Sequence, residues 1–122
     1  MNANCELTQP DGLTNIEFAE LRMSEEIIIE TKNSSYRFAV CDALNRRGYL
    51  SGGSIGDEPV SAVLMGVVTK GGDSVVTDSW CLKTGGRAFF CIETKSGIKH
   101  LVTSNIVGLI HVKNTTEQKY IF

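Results

Sequence analysis

Between residues 25 and 112, short runs of β-branched and aromatic residues alternate with clusters of glycine, asparagine, aspartate and serine. Runs of this length and composition predict β-strands, and the polar clusters predict the turns between them. The predicted strands span residues 25–31, 36–41, 46–55, 60–69, 87–94, 98–103 and 106–112. Turn signals recur every ~8–12 residues, which leaves no room for the helical crossovers of a parallel sheet. The pattern therefore predicts an all-β fold, a small antiparallel barrel.

Three glycines lie inside the predicted strand 46–55, namely Gly48, Gly52 and Gly53. Glycine in the interior of a strand weakens it and usually marks a bulge or a tight bend. Small barrels need such bends because each strand must curve for the sheet to close on itself. The glycines therefore favour a barrel.

The segment before the first strand has the signature of a helix start. In "LTNIEFAELRM", Thr14 precedes Glu17 by three positions, which is the spacing of a capping box. Leu13 and Phe18 are placed for a hydrophobic staple across the same helix terminus. We therefore predict a short helix over residues 14–23 that packs on the barrel.

The length of 122 residues is typical of one domain. Residues 1–12 are polar and contain a proline and a glycine, which predicts a flexible N-terminus. Residues 114–122 predict a C-terminal tail. The barrel and its helix then occupy residues 13–113.

The stretch "IKHLVTSNIVGLIHV" (residues 98–112) alternates like a strand, breaks at three polar residues and then alternates again. Ser104 and Asn105 lie at the break, and their side chains can hydrogen-bond to the local backbone and favour a tight turn. We predict that a single 3₁₀ turn joins the two final strands there and carries the chain to the other side of the barrel.

A leading helix, several short strands and this final strand–turn–strand unit together resemble the SH3-like and Sm-like barrels, the latter typified by bacterial and archaeal RNA chaperones. In sequence, "GIKHLVTSNIV" (residues 97–107) is similar to the second motif region of the Sm-like family. The resemblance implies an SH3/Sm-like barrel and assembly into rings by pairing of edge strands. The aspartate and asparagine of the family's first motif and the Arg-Gly pair of its second have no counterpart here, so no uridine-binding residue is transferred.

The net charge of −2 is unevenly placed along the chain. Residues 1–30 contain seven acidic residues and one basic residue, whereas residues 31–122 contain eleven basic and seven acidic residues. This asymmetry fits an acidic segment lying on a basic surface, a basic body that binds an anion, or simply two solvated faces.

Basic residues at predicted turns and strand ends are candidates for binding RNA or single-stranded nucleic acid. The four candidates are Arg46, Arg47, Lys99 and His100. Phosphate contacts from one rim of a barrel would be salt-dependent and weakly specific, and nearby aromatic residues would supply stacking faces. A sequence pI of about 5.6 argues against a strong polyanion binder.

One group of residues is the only candidate for catalysis. If Ser96 and Gly97 form a two-residue hairpin loop, Glu93 lies opposite His100, and Cys91 lies two residues away on the same face. Such a cluster would suit an activated nucleophile, but a cross-strand charge pair explains it as well. We therefore predict no enzymatic activity and no cofactor.

The four cysteines lack paired ligand spacing, which predicts reduced thiols and no metal site.

Two predicted strands are apolar on both faces, "SAVLMGVVT" (61–69) and "AFFCI" (88–92). A barrel strand needs apolar residues only on the face that points into the core. We therefore predict a homo-oligomer that covers the second apolar face of these strands. The alternative is that the N-terminal helix and the excursion around Trp80 cover it within one chain.

No apolar run is long enough to span a membrane, and the N-terminus does not resemble a secretory signal, so we expect a cytoplasmic protein. The sequence thus predicts a non-enzymatic, self-associating binding or assembly module, with an RNA-binding protein as the alternative.

Overall fold

The computed structural model describes residues 14–71 and 74–113 of the chain. These residues form strands and two isolated 3₁₀ turns, Phe18–Glu20 and Gly53–Ile55. The strands are β1 (Asn15–Glu17), β2 (Glu26–Thr31), β3 (Ser35–Asp42), β4 (Arg47–Gly52), β5 (Gly56–Gly71), β6 (Ser74–Asp78), β7 (Cys81–Lys83), β8 (Arg87–Thr94) and β9 (Gly97–Val112). The predicted flexible segment 1–12 and the tail 114–122 lie outside the described residues.

Six of the strands close into an antiparallel barrel. The strands neighbour one another in the order β4-β3-β2-β9-β8-β5, and β5 also pairs with β4, which closes the sheet. β6 extends the far end of β5, and β1 pairs with β7 in a separate two-stranded sheet. The predicted all-β fold and small antiparallel barrel are therefore confirmed.

The alternation read from the sequence places the core. On β3, Tyr36, Phe38 and Val40 are buried, whereas the residues between them are more exposed. Phe38 meets Phe90 of β8 inside the barrel, with ring centroids 5.4 Å apart and a tilted geometry. Both rings are fully buried, and burial of one such side chain is worth roughly 1.5–3 kcal/mol.

The predicted 3₁₀ turn at Ser104 and Asn105 is wrong, because β9 runs unbroken through that point. The strand changes partner there instead. Residues 97–105 pair with β8 and residues 106–112 pair with β2, with irregularities in register on both sides of the change. A strand shared between two neighbours in this way carries the chain around the barrel without a turn.

The three polar residues at the change of partner hold the strands on either side of it. The Thr103 hydroxyl accepts a hydrogen bond from the Ala88 N–H (3.0 Å). The Asn105 side chain donates to the Gly85 carbonyl (3.2 Å), and Ser104 Oγ accepts from the Asn33 side chain (2.7 Å). The polar residues therefore supply contacts that the interrupted ladder cannot.

The predicted helix over residues 14–23 is also wrong. Its first residues form β1, in which Ile16 lies opposite Leu82 of β7, and only a single 3₁₀ turn follows. Both side chains are buried in the core. A helix of this length is marginal on its own, whereas pairing with β7 satisfies the backbone and buries Ile16 at once.

No helix in residues 14–71 and 74–113 is long and apolar enough to cross a membrane.

Candidate binding surfaces

The outer face of β4, β5, β8 and β9 carries one row of directly paired residues. Arg47 lies opposite Val63, Val63 opposite Cys91, and Cys91 opposite His100. Adjacent strands are about 4.8 Å apart, so Arg47 and His100 at the two ends of the row are separated by roughly 14 Å. Apolar and sulfur-containing side chains fill the space between the two basic groups.

The four basic residues predicted to bind nucleic acid do not form one rim. Arg47 and His100 share the outer face, but Arg47 is paired with Glu93 (Nη1 to Oε2, 3.2 Å). Lys99 is adjacent to His100 in an extended strand, so its side chain points to the opposite face. Arg46 lies in a separate cleft described below.

The predicted arrangement of Cys91, Glu93 and His100 is wrong in register. The hairpin loop is Lys95–Ser96, so Glu93 lies opposite Ile98 and Cys91 lies opposite His100. The Thr94 hydroxyl selects this loop. It accepts a hydrogen bond from the Ser96 N–H (3.2 Å) and donates one to the Gly97 carbonyl (2.6 Å).

Glu93 is turned towards β4 and β5, away from His100. Hydrogen bonds from Ser61 and then from Arg47 lower the pKa of the Glu93 carboxyl. The His100 ring instead meets the Phe89 ring edge-on, with centroids 5.4 Å apart. Neither of these described contacts brings a base to the Cys91 thiol.

The first half of β9 is an open sheet edge. Residues 98–103 pair with β8 on one side, and no strand of the described ranges pairs with the other side. Ile98 is 68% exposed and Val102 is 41% exposed. An edge of this kind presents unpaired backbone donors and acceptors beside apolar side chains, which is a template for another strand.

A second surface is a cleft of about 760 Å³ on the side of the barrel where β1 and β7 pair. Its walls come from the Phe18–Glu20 turn, the β3–β4 turn and the turn before β7. The lining residues are Glu17, Phe18, Ala19, Leu21, Arg22, Ala43, Leu44, Arg46, Ser79, Trp80 and Cys81. We call it the Trp80 cleft.

The backbone of Trp80 is held in place on both sides, while its side chain points outward. Its backbone N–H donates to Asp78 Oδ1 (2.8 Å), and its carbonyl accepts from the Phe18 N–H (2.9 Å). The side chain is nevertheless 81% exposed. The hydrogen bond from the Trp80 N–H and the charge of Lys83 lower the pKa of Asp78, which keeps its carboxylate ionised.

Arg46 forms a second wall from a conformation that few non-glycine residues adopt. Its φ is +55°, in the left-handed region, which costs about 1–2 kcal/mol for a residue with a Cβ. The guanidinium lies 5.2 Å from the centroid of the Phe18 ring and donates to the Ser79 carbonyl (2.7 Å). The Arg46 carbonyl accepts from the Leu64 N–H (2.9 Å) of β5. These contacts hold the turn to the barrel.

Arg22 follows the Phe18–Glu20 turn and belongs to the third wall of the cleft. Its backbone N–H donates to Glu25 Oε1 (3.1 Å), and the same oxygen lies 2.7 Å from Nε2 of His111. Glu25 and His111 are both buried. The Arg22 side chain donates to the carbonyls of Ala19 and Leu21 (3.1 and 3.0 Å). The position of this guanidinium is therefore tied to the core.

The Cys81 thiol lines the cleft but is a poor nucleophile. Burial, and then the charge of Asp78, raise the pKa of Cys81, so the thiol stays protonated at neutral pH. Cys41, Cys81 and Cys91 are all free thiols. The described residues contain no cluster of His, Cys, Asp and Glu side chains arranged to hold a metal ion.

Sequence reasoning missed the Trp80 cleft, because its three walls are distant in the chain. Trp80 stood out as the single tryptophan, set in the polar turn "TDSW", but nothing in the sequence pairs that turn with Phe18 or Arg46. The available signal was a large aromatic residue at a position where turn chemistry predicts exposure.

Comparisons with known proteins supply no relative from which a function can be transferred. The chain matches no protein-family model, no curated protein and no solved structure.

Proposed function

We propose that this protein is a non-enzymatic binding and assembly module that self-associates through the open edge of β9. The observation that carries the proposal is this edge, which combines unpaired backbone groups with the exposed apolar side chains of Ile98 and Val102. Pairing with a second strand would satisfy the backbone groups and bury the apolar groups together.

The edge is complementary to itself. In an antiparallel pair of two identical strands related by a two-fold axis through His100, Ile98 of one copy lies opposite Val102 of the other. Both side chains lie on the outer face, next to Glu93 and Phe89 of β8 respectively. Each apolar cross-strand pair of this kind contributes about 0.2–1 kcal/mol beyond the backbone hydrogen bonds.

We also include in the proposal the SH3/Sm-like class of barrel and a cytoplasmic location. The closed antiparallel barrel and the long final strand shared between two neighbours support the class, whereas the helix and the 3₁₀ turn that the resemblance implied are not formed by residues 14–23 and 103–106. A reducing compartment suits the free thiols of the described chain.

The test uses charge at the two apolar positions of the edge. The double variant Ile98→Lys/Val102→Lys places lysines opposite one another in the two-fold pair, so the assembly is expected to dissociate to the 13.3 kDa monomer. The variant Ile98→Lys/Val102→Glu places opposite charges face to face in the same register, so association is expected to return. Size-exclusion chromatography with light scattering measures the mass in both cases.

Val107→Lys is the matched control, because Val107 is 63% exposed but lies at the bulge in the half of β9 that pairs with β2. Its mass is expected to equal that of the unmodified protein. A monomeric unmodified protein, or a charge-swapped variant that stays dissociated, would contradict pairing in this register.

RNA binding is the second candidate, favoured by aromatic and basic groups that share one face. The outer surface carries Arg47 and Tyr49 on β4, Phe89 on β8 and His100 on β9, and β5 lies between β4 and β8. Proteins that bind single-stranded nucleic acid typically place aromatic rings, on which the nucleobases stack, beside basic side chains that contact the phosphates. Fluorescence anisotropy with labelled oligouridine and oligoadenine at low and high salt tests this candidate. The double variant Arg47→Ala/His100→Ala is expected to weaken binding, and an unchanged signal at low salt would exclude this face.

A further inference from the structure

The Trp80 cleft is not explained by self-association at β9, since the two surfaces share no residue. Leu44 and Trp80 at its rim are 90% and 81% exposed. Single exposed apolar residues are common on protein surfaces, but here two large ones line the same concave space. Clefts lined by apolar groups with a few fixed polar groups are typical binding sites.

The cleft is organised before any ligand arrives. The backbone of Trp80 is fixed by hydrogen bonds to Asp78 and Phe18, and the side chain of Arg46 is fixed by Ser79. Because the Trp80 backbone and the Arg46 guanidinium are already held in place, fixing them on binding would cost little conformational entropy. Tryptophan and arginine side chains dominate the binding energy of many interfaces.

The charge of the lining selects the partner. Arg22 and Arg46 lie on two walls, and each has five N–H donors, of which the described contacts use only the Nη1 groups. Among the described residues that line the cleft, Glu17 is the one carboxylate. Guanidinium donors that the described contacts leave unused match a carboxylate, which arginine binds in a bidentate manner.

Carboxylates around the cleft disfavour a polyanion. Three carboxylates lie next to the segments that form the walls. Glu20 is the last residue of the Phe18–Glu20 turn, Asp42 is the last residue of β3, and Asp78 is the last residue of β6. A phosphate backbone would meet these groups as well as the two arginines, whereas a short peptide places a single carboxylate where the arginines lie.

We propose that the Trp80 cleft binds an extended segment of a partner protein in which an apolar side chain lies close to an acidic residue. The apolar side chain packs between Leu44 and Trp80, beside the Arg46 guanidinium that covers the Phe18 ring. The acidic side chain accepts hydrogen bonds from Arg46, with Arg22 as the second cation.

The test is selection of peptides from a random eight-residue display library on the immobilised full-length protein, followed by titration of the selected peptides in solution. The signal is the fluorescence of Trp80, the single tryptophan of the chain. We expect the selected peptides to share an apolar residue near aspartate or glutamate. A selection without enrichment, or one enriched in basic peptides, would overturn the proposal.

Two matched substitutions test the role of Arg46. Arg46→Asn removes the guanidinium and keeps a residue that tolerates positive φ, and it is expected to weaken binding of the selected peptide about tenfold or more. Arg47→Asn changes the neighbouring arginine on the outer face and is expected to leave binding within about twofold. Equal effects of the two substitutions would contradict the assigned site.

Leu44→Ala tests the apolar part of the site without affecting the fluorescent probe. Leu44 is too exposed to support the core, so the melting temperature should remain unchanged while peptide affinity falls. An oligothymidine probe tests the competing ligand. Quenching of Trp80 by this probe, lost on Arg46→Asn, would assign the cleft to single-stranded nucleic acid and overturn the peptide proposal.

Discussion

The two halves of β9 are both strands but have different surroundings. Residues 106–112 pair with β2 and carry Ile106, Leu109 and His111 into the interior, whereas residues 98–102 pair only with β8 and are largely exposed. Both halves are rich in β-branched and other apolar residues, IKHLV in the first and IVGLIHV in the second. This composition predicts a strand, but the number of neighbours of that strand is decided by the rest of the barrel.

The two histidines of β9 give the largest expected contrast between the halves. His111→Ala removes the ring that lies 2.7 Å from Glu25 in the core and is expected to lower the free energy of unfolding by about 3–5 kcal/mol, since it leaves the buried Glu25 side chain without this partner and opens a cavity. His100→Ala, on the open half, is expected to change it by less than about 0.5 kcal/mol. Urea denaturation measures both values, and similar losses would refute the contrast.

The junction between the halves depends on the Thr103 hydroxyl. Thr103→Val keeps the shape of the side chain but leaves the Ala88 N–H without its buried partner, so we expect a loss of about 1–3 kcal/mol. Thr103→Ser retains the hydroxyl and should recover most of the stability. If valine and serine variants unfold at the same urea concentration, the hydrogen bond does not hold the junction.

The smallest effect is expected beside the open half, at the exposed Arg47–Glu93 pair. Ser61 and Arg47 lower the pKa of Glu93 in the folded protein. The ionised Glu93 side chain therefore adds to the free energy of unfolding above the normal pKa of 4.5, and this stabilisation is lost as the pH falls through the lowered pKa. Glu93→Gln should therefore reduce stability slightly at neutral pH, and the difference from the unmodified protein should shrink towards pH 3. Thermal melts across this range measure it, and a difference that grows on acidification would contradict the sign.

The fold was largely predictable, because the strands follow a simple pattern of buried and exposed positions. On β2, the β-branched run of Ile27, Ile28 and Ile29 was enough to place a strand, and the structure buries Ile27 and Ile29 in the core. The N-terminal helix failed for a physical reason. The capping pattern of Thr14 and Glu17 favours a helix locally, but pairing with β7 buries Ile16 and satisfies more backbone groups.

The candidate surfaces were predictable only in part. Arg47 and His100 were identified as exposed bases, but their ion pair and ring contact depend on which strands are adjacent. The Cys91, Glu93 and His100 arrangement failed because a shift of one residue in the loop moves every cross-strand partner by two. The Trp80 cleft was not predicted at all.

The amino-acid sequence by itself determined most strand positions of the barrel wall and the antiparallel class, because these follow from residue composition and side-chain periodicity within a few residues. Tertiary structure alone decided the closure of β5 on β4, the division of β9 between two neighbours and the meeting of Phe18, Arg46 and Trp80 around one cleft. These features join residues far apart in the chain, and local propensity carries no information about which distant backbone will satisfy a given hydrogen bond.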